Sequence, residues 1–392
     1  KIHHKCEKLG IDDKVFTIEE FLEKVISENP DLLDYKVPIL KKEYFGNVNI
    51  NDEFFDSFKE DYIGYEKWFN KKANEVAYVA ESDEKILAFL YIKKEDESEP
   101  YGDIDPIFKP KKRLKIGTMK VQLNGFRLGE RLLKVVFDNA LLFNVEEIYV
   151  TIFPKREDQL RLIKLLEDFG FYKYGIKKSS SGEEEVYVRD FSHIASLNDP
   201  KKTYPFMSQR ARKFIVPIYP EYHTSLFPDS ILKTESPRDF VEQEPFRNAI
   251  SKVYISRSIK RDLKAGDIII FYRTSREGSA IYHSVITTLG IVENIHSNIK
   301  DFDQFVSLCG KRSVFSTQEL RQQWDSKPNN RPFIVNFLYA YSFPKRLNLK
   351  RLIELGIIKD SESAPRGFTE IENDLFKLIL KETESNENII VN

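Results

Sequence analysis

Residues 113–143, RLKIGTMKVQLNGFRLGERLLKVVFDNALLF, change period in the middle. The run RLKIGTMKVQL (113–123) alternates like a strand, and residues 128–143 repeat at helical spacing. Between them lies a turn punctuated by Gly125 and Gly129. A strand that passes straight into a helix must fold that helix back over its own sheet, which commits this part of the chain to an α/β layer. A glycine turn that opens a helix is also a place where proteins hold phosphate, because free backbone N–H groups and the helix dipole both favour negative charge. The same glycines equally serve a tight turn and close helix–sheet packing. The turn lacks the GK[ST] ending of a P-loop, and no acidic residue of dinucleotide type follows roughly 20 residues on.

The flanking segments extend the pattern. FFDSFKEDYIGYEKWFNKKA (54–73) places Phe54, Phe58, Tyr62, Tyr65 and Phe69 on one helical stripe. EVAYVAESDEKILAFLYIKKE reads as a hairpin around SDEK, EEIYVTIF (146–153) as the next strand, and DQLRLIKLLEDFGF (158–171) as a helix capped at Gly170. VYVRDF (186–191) is read as a last strand. NDPKKTYPFMSQRARK (198–213) is polar and basic and reads as a linker. Beyond it the chain turns to short β runs, KFIVPIYP, KVYISRS, GDIIIFYRT, HSVITTLGIVENI and RPFIVNFLYAYSF, with short helical stretches between them. This predicts a small β-barrel with helices at its rim. The end, ETESNENIIVN (382–392), reads as a disordered tail.

Composition narrows the function classes. Net charge is −1, so only local basic patches point to nucleic acid. Two cysteines, Cys6 and Cys309, are too few for a disulfide framework or a cysteine metal site, and His223 lacks metal-spaced partners. No metal is expected. No apolar run approaches the ~20 residues of a membrane span, and a cytoplasmic location with no membrane partner is expected.

Residues 40–191 resemble the GNAT acetyltransferase family. The hairpin EVAYVAESDEKILAFLYI looks like that family's second and third strands, RLKIGTMKVQLNGFRLGERLL like its strand–turn–helix motif for acetyl-CoA, and EEIYVTIFPKREDQLRLIKLLEDFGF like the strand and helix that follow. The resemblance implies a mixed α/β sheet with flanking helices and acetyl-CoA as co-substrate. It implies a pyrophosphate cradle at Asn124, Gly125, Phe126, Arg127, Leu128 and Gly129, and backbone contacts to the acyl and pantetheine arm at Met119 and Val121. Aligned on Gly129, the family turn [RQ]xxGx[GA] puts Asn124 in the first position and Arg127 in the fourth, where the family has Gly. Gln159 stands where an Asn is frequent. The family's acid, a Tyr in a pattern like LYxxxGF, is replaced by Leu166 in LLEDFGF; Tyr172, just after the GF, is a candidate substitute acid, with packing as its alternative role. Glu81 and Glu130 are positional candidates for the base.

In the second half, KVYISRSIKRDLKAGDIIIFYRTSR (252–276) carries Arg257, Lys260, Arg261, Lys264 and Arg273 among Tyr254, Phe271 and Tyr272. Cations for phosphate and aromatics for bases are what RNA binding requires. A strand with solvated charges outside has the same pattern. VYISRS, LKAGDIIIFYRT and LGIVENI resemble the PUA-like superfamily near its ASCH and EVE branches, which implies an RNA or tRNA partner. Trp324 is expected to anchor a helix. The opening, KIHHKCEKLGI with a short strand and helix, resembles the end of a PIN domain. The expected organisation is an upstream PIN remnant (1–24), an acetyltransferase domain (25–197), a linker (198–213), a PUA-like domain (214–381) and a tail (382–392). The expected function is N-acetyl transfer to an amine on an RNA-linked substrate or a protein. The alternative is a CoA-binding sensor or scaffold without catalysis, or a nucleic-acid-binding module.

Overall fold

The computed structural model describes residues 40–82, 85–122, 127–227, 249–276 and 279–391. The expected PIN remnant and the turn residues Asn124, Gly125 and Phe126 lie outside them.

Residues 40–190 build an eight-stranded mixed sheet. Its strands are β1 (Leu40–Tyr44), β2 (Val76–Ser82), β3 (Lys85–Glu95), β4 (Ile104–Asp105), β5 (Arg113–Val121), β6 (Glu147–Ile152), β7 (Tyr172–Ser179) and β8 (Gly182–Asp190), in the order β1-β2-β3-β5-β6-β8-β7-β4. Every adjacent pair is antiparallel except β5 and β6. That parallel pair is joined by α3 (Leu128–Phe143), whose buried stripe Leu132, Leu133, Val136, Phe137 and Ala140 packs with Leu114, Ile116, Ile148 and Val150 of the sheet. Helix α4 (Glu157–Asp168) lies beside α3 and is followed by Gly170 at φ 83°. On the other face, α1 (Asp56–Asp61) and α2 (Tyr65–Lys71) cover the sheet with an aromatic core of Phe45, Phe54, Phe55, Phe69, Phe89 and Tyr91.

The single helix expected over 54–73 is therefore two short ones. Gly64 sits in the left-handed region at φ 79° and breaks it. The apolar stripe survives the break: Phe54, Tyr65 and Phe69 are buried in this core, and Phe58 and Tyr62 pack against it. The strand β7 was not anticipated. Its burial alternates poorly, and its lysines and Gly175 hide the strand pattern.

After the short β9 (Met207–Ser208), residues 213–371 form a second sheet from β10 (Lys213–Ile218), β11 (Ser251–Ser256), β12 (Ile268–Arg273), β13 (Val285–His296), β14 (Phe333–Ser342) and β15 (Thr369–Ile371). The order is β11-β14-β13-β12-β10-β15, with β10 and β12 parallel. The expected barrel is thus an open sheet among the described residues, with β11 and β15 at its two ends. Helices Phe302–Cys309 and Thr317–Asp325 pack on β11 and β14 through Phe305, Trp324, Val253 and Ile334, so one end is covered by helix instead of a closing strand. Trp324 anchors its helix there.

Two boundaries change. The expected linker is a buried strap: Tyr204 is fully buried, donates to the Tyr339 carbonyl at 2.7 Å and packs on Phe137 and Phe169. One continuous core holds Leu132 and Phe137 of α3 together with Ile268, Ile270 and Leu338 of the second sheet. The expected disordered tail is also ordered: Ile390–Val391 pairs in parallel with Met207–Ser208, and Ile389 is buried. Apolar Ile389 and Val391 find a partner strand in the strap, which composition alone does not reveal.

Candidate functional site

Strands β5 and β6 pair only over Arg113–Ile116 against Glu147–Val150. Beyond that they part. The parting begins at a bulge: Tyr91 pairs with Thr118 and Ile92 with Ile116, so Gly117 has no partner across the ladder. A Cβ on Gly117 would lie 2.6 Å from the Tyr91 ring, so the residue type is dictated by that close approach. The separated ends, 117–121 and Thr151–Ile152, open into a cavity of about 610 Å³. The residues of β5 past its last pair with β6, Gly117, Thr118, Met119, Lys120 and Val121, line it.

One end of the cavity is the N-terminus of α3, lined by Arg127, Leu128 and Gly129. The first amides of a helix have no intrahelical acceptor and carry the positive end of the dipole. A Cβ on Gly129 would stand 3.0 Å from a Leu165 methyl of α4, so glycine keeps the two helices close at this end. Arg127 caps the helix at φ 52°, a left-handed conformation that strains a side-chain-bearing residue. This is the turn position at which the resemblance implies Gly, and it is why Gly suits it. The Arg127 guanidinium turns back to Glu130 at 2.9 Å. Arg161 also lines the cavity, as does Lys120, whose ammonium donates to the Phe54 carbonyl at 2.6 Å and to Ser57 Oγ at 2.8 Å below α1.

The other half lies beneath α1 and α2. Glu184 on β8 is buried there, and its Oε1 accepts hydrogen bonds from the Tyr62 hydroxyl at 2.7 Å and from Thr151 Oγ1 at 3.0 Å. Its Oε2 accepts none from the described residues. Burial and the neighbouring Glu184 carboxylate push the Tyr62 hydroxyl well above its ordinary pKa, so it stays a donor. The Ile63 amide donates to Ser181 Oγ at 2.9 Å, which ties the α1–α2 loop to the β7–β8 turn over this half of the cavity. Phe58, Tyr65, Trp68 and Tyr91 form an aromatic wall. Burial lowers the pKa of Lys115, with repulsion from Lys177 adding to it, and burial also lowers that of Lys120.

Of the residues singled out by sequence, Met119, Val121, Arg127, Leu128, Gly129 and Gln159 all line this cavity. Gln159 serves as a brace: its Oε1 accepts from the Arg156 amide and its Nε2 donates to Asp61 at 2.9 Å, holding the start of α4 to α1. Tyr172 is not brought to the cavity. It opens β7 at 48% exposure, outside the lining residues. Leu166 is fully buried in the core. Glu81 on β2 pairs with Lys41 of β1, away from the lining. Glu130 is bound up structurally, accepting from the Ile250 and Ser251 amides at 2.8 and 3.1 Å. Glu184 was missed because EEE at 183–185 reads as a solvated charge run, and only the hairpin register separates the inward carboxylate from its neighbours.

The basic stretch of the second half is largely spent on the protein itself. Arg257 donates to Gln323 and Ser326, Lys260 pairs with Glu370 at 2.6 Å, and Arg261 donates to Asn330 and to the Ser258 and Arg331 carbonyls. Lys264 is exposed, and Arg273 ends β12 half-buried. His223 is fully buried and shares a 2.8 Å hydrogen bond with Thr287. Burial keeps it neutral by pulling its pKa well below the ordinary value. Among the described residues no group of three or more His, Cys, Asp or Glu is placed to hold a metal, and no helix is long and apolar enough to cross a membrane.

No protein-family model matches the chain, and no curated protein matches it. Solved structures do. The NatC complex bound to Gag peptide and CoA is 14% identical, covering 39% of this chain and 99% of that one, at a TM-score of 0.27. Chaetomium thermophilum Naa20 with a bisubstrate analogue is 15% identical over 39% and 86%, at 0.30. The acetyltransferase AAC(6')-Ib with ribostamycin and coenzyme A is 18% identical over 39% and 92%, at 0.29.

Proposed function

We propose that residues 40–191 form an acyl-CoA-dependent N-acyltransferase, with acetyl-CoA as donor and an amine as acceptor. The observation that carries this reading is the parting of β5 and β6 at Gly117, with a helix N-terminus at one end of the opening and a buried carboxylate at the other. The GNAT-like order of motifs in the sequence supports it.

The residues fit the donor. The diphosphate sits on the first amides of α3, where dipole and N–H groups favour negative charge. The pantetheine arm runs along the freed edge of β5 from Val121 to Gly117, where its amides pair with strand backbone as a missing strand would. The thioester then lies at the fork, between the Met119 backbone and the acceptor half of the cavity. The amine attacks the thioester carbonyl carbon, the carbon–sulfur bond breaks, and CoA leaves as thiolate. Glu184 takes the proton lost by the amine, and Tyr62 and Thr151 orient its carboxylate.

The test is release of free thiol from acetyl-CoA in the presence of a panel of primary amines. Wild-type protein turns over at least one of them, and Glu184→Gln lowers kcat by about 10²-fold or more while acetyl-CoA affinity is retained. The position of Leu166 in the core and of Tyr172 outside the cavity favours a second reading, a CoA sensor without turnover. Tight acetyl-CoA binding with no acceptor acetylated by any amine selects it.

A further inference from the structure

Five lysines line the cavity: Lys72, Lys93, Lys115, Lys177 and Lys120, the last held by the Phe54 carbonyl and Ser57 Oγ. Three have carboxylate partners on their own side of the sheet. Lys72 pairs with Glu75 at 2.8 Å, Lys93 with Glu99 at 2.7 Å and Glu95 at 3.2 Å, and Lys177 with Asp103 at 3.6 Å. Lys115 differs. It forms no hydrogen bond or ion pair with the described residues, and its ammonium lies 5.6 Å from the centre of the Tyr149 ring. It stands on β5 opposite Tyr149, two positions before the bulge at Gly117. It is part-buried on the floor of the half that also holds Glu184. The carboxylates lining the cavity are Asp61, Asp158 and Glu184: Asp61 is already taken by Arg156 at 2.8 Å and Gln159 at 2.9 Å, Asp158 stands in the first turn of α4, and Glu184 is the buried one on the sheet.

A cation drawn out of water without a partner is costly, and the usual remedy is an opposite charge supplied at the site. Here the protein supplies none within ion-pair distance. The surrounding lysines add repulsion, which an incoming anion relieves for all of them together. The facing wall is aromatic, with Tyr65 and Trp68 rings 5.3 Å apart, so the middle of the bound molecule meets apolar surface.

Resting on the acyltransferase reading above, we infer that the acceptor is a small amine that also carries an anionic group, a carboxylate or a phosphate, bound by Lys115 while the amine faces Glu184. Lys115 then acts as the specificity-determining residue of the acceptor subsite. The burial that lowers its pKa agrees with this placement, since a bound anion restores the charged form.

The experiment titrates β-alanine, O-phosphoethanolamine and propylamine, by calorimetry, into wild-type, Lys115→Met and Lys115→Arg proteins, with and without CoA. Wild-type binds at least one anionic probe about tenfold or more tighter than propylamine, as one charge-assisted bond in a dry site predicts. The probe preferred, carboxylate or phosphate, identifies the anion. Lys115→Met loses that preference and Lys115→Arg keeps part of it. In turnover the same change appears in KM for the anionic amine more than in kcat. Equal affinity for all three probes in wild-type, or an undiminished preference in Lys115→Met, overturns the inference. Failure of the acyltransferase reading is seen separately, as absence of CoA binding. The titrations without CoA then decide the Lys115 site by themselves.

Discussion

Glu130 makes a quantitative test of how the two sheets are joined. It belongs to α3, yet its Oε2 accepts the amides of Ile250 and Ser251 at the start of β11, and its Oε1 takes the Arg127 guanidinium. Its side chain is 8% exposed. Replacement by Ala leaves two buried amides without an acceptor and a guanidinium without its partner. The contributions overlap, and breaking a buried pair of this kind costs about 3–5 kcal/mol. Glu130→Gln keeps an acceptor for the amides and loses the charge, which costs about 1–2 kcal/mol. Urea unfolding followed by fluorescence reads both halves, because the two tryptophans are Trp68 in α2 and Trp324 in the second half. The pH dependence has a definite sign. Burial pushes the Glu130 carboxyl up, but Arg127, Arg312, the Ser251 amide and Lys201 outweigh it, so its folded pKa lies below the ordinary value. Its ionised form therefore stabilises the fold fully above the unfolded value of about 4.3, and that stability fades as pH falls through the folded pKa. The gap between wild type and Glu130→Gln narrows below about pH 4 accordingly. A Glu130→Ala protein within about 0.5 kcal/mol of wild type at pH 7 would refute this account of the junction.

Two further outcomes follow from packing. Gly117→Val drives a Cβ into the Tyr91 ring, so thermal unfolding shows a loss of about 1–3 kcal/mol, and acetyl-CoA binding weakens as the fork is distorted. Unchanged stability and binding would show that the bulge tolerates a side chain. Burial pushes the Cys309 thiol up to about 12, so mass-spectrometric labelling at pH 8 leaves the Cys309 peptide unmodified until denaturant is added. Rapid native labelling would place that thiol at the surface.

Much of the first sheet was legible because its elements carry clean periods. The hairpin 76–95, the strand–turn–helix of 113–143 and the Gly170 cap are local patterns, and local sequence states them. The cavity-lining residues Met119, Val121, Arg127, Leu128 and Gly129 came with them, since they sit on that one motif. The acceptor half was not legible. Tyr62, Thr151 and Glu184 meet only because β8 returns beside β6 and Gly64 breaks a helix, and those are long-range facts. Arg257, Lys260 and Arg261 read as a free basic face because sequence does not show that Gln323, Glu370 and Asn330 stand opposite them. Tyr204 and Phe206 were masked by the lysines around them, and sheet closure in the second half depends on edge partners that strand patterns do not specify.

The central claim is that the fork between β5 and β6 and the N-terminus of α3 together hold an acyl-CoA. Calorimetric titration of acetyl-CoA into the full chain and into Gly129→Glu tests it most directly. The account predicts saturable one-to-one binding by wild type and none by Gly129→Glu, whose carboxylate would occupy the diphosphate position. Absence of binding by wild type, or equal binding by both proteins, would contradict it.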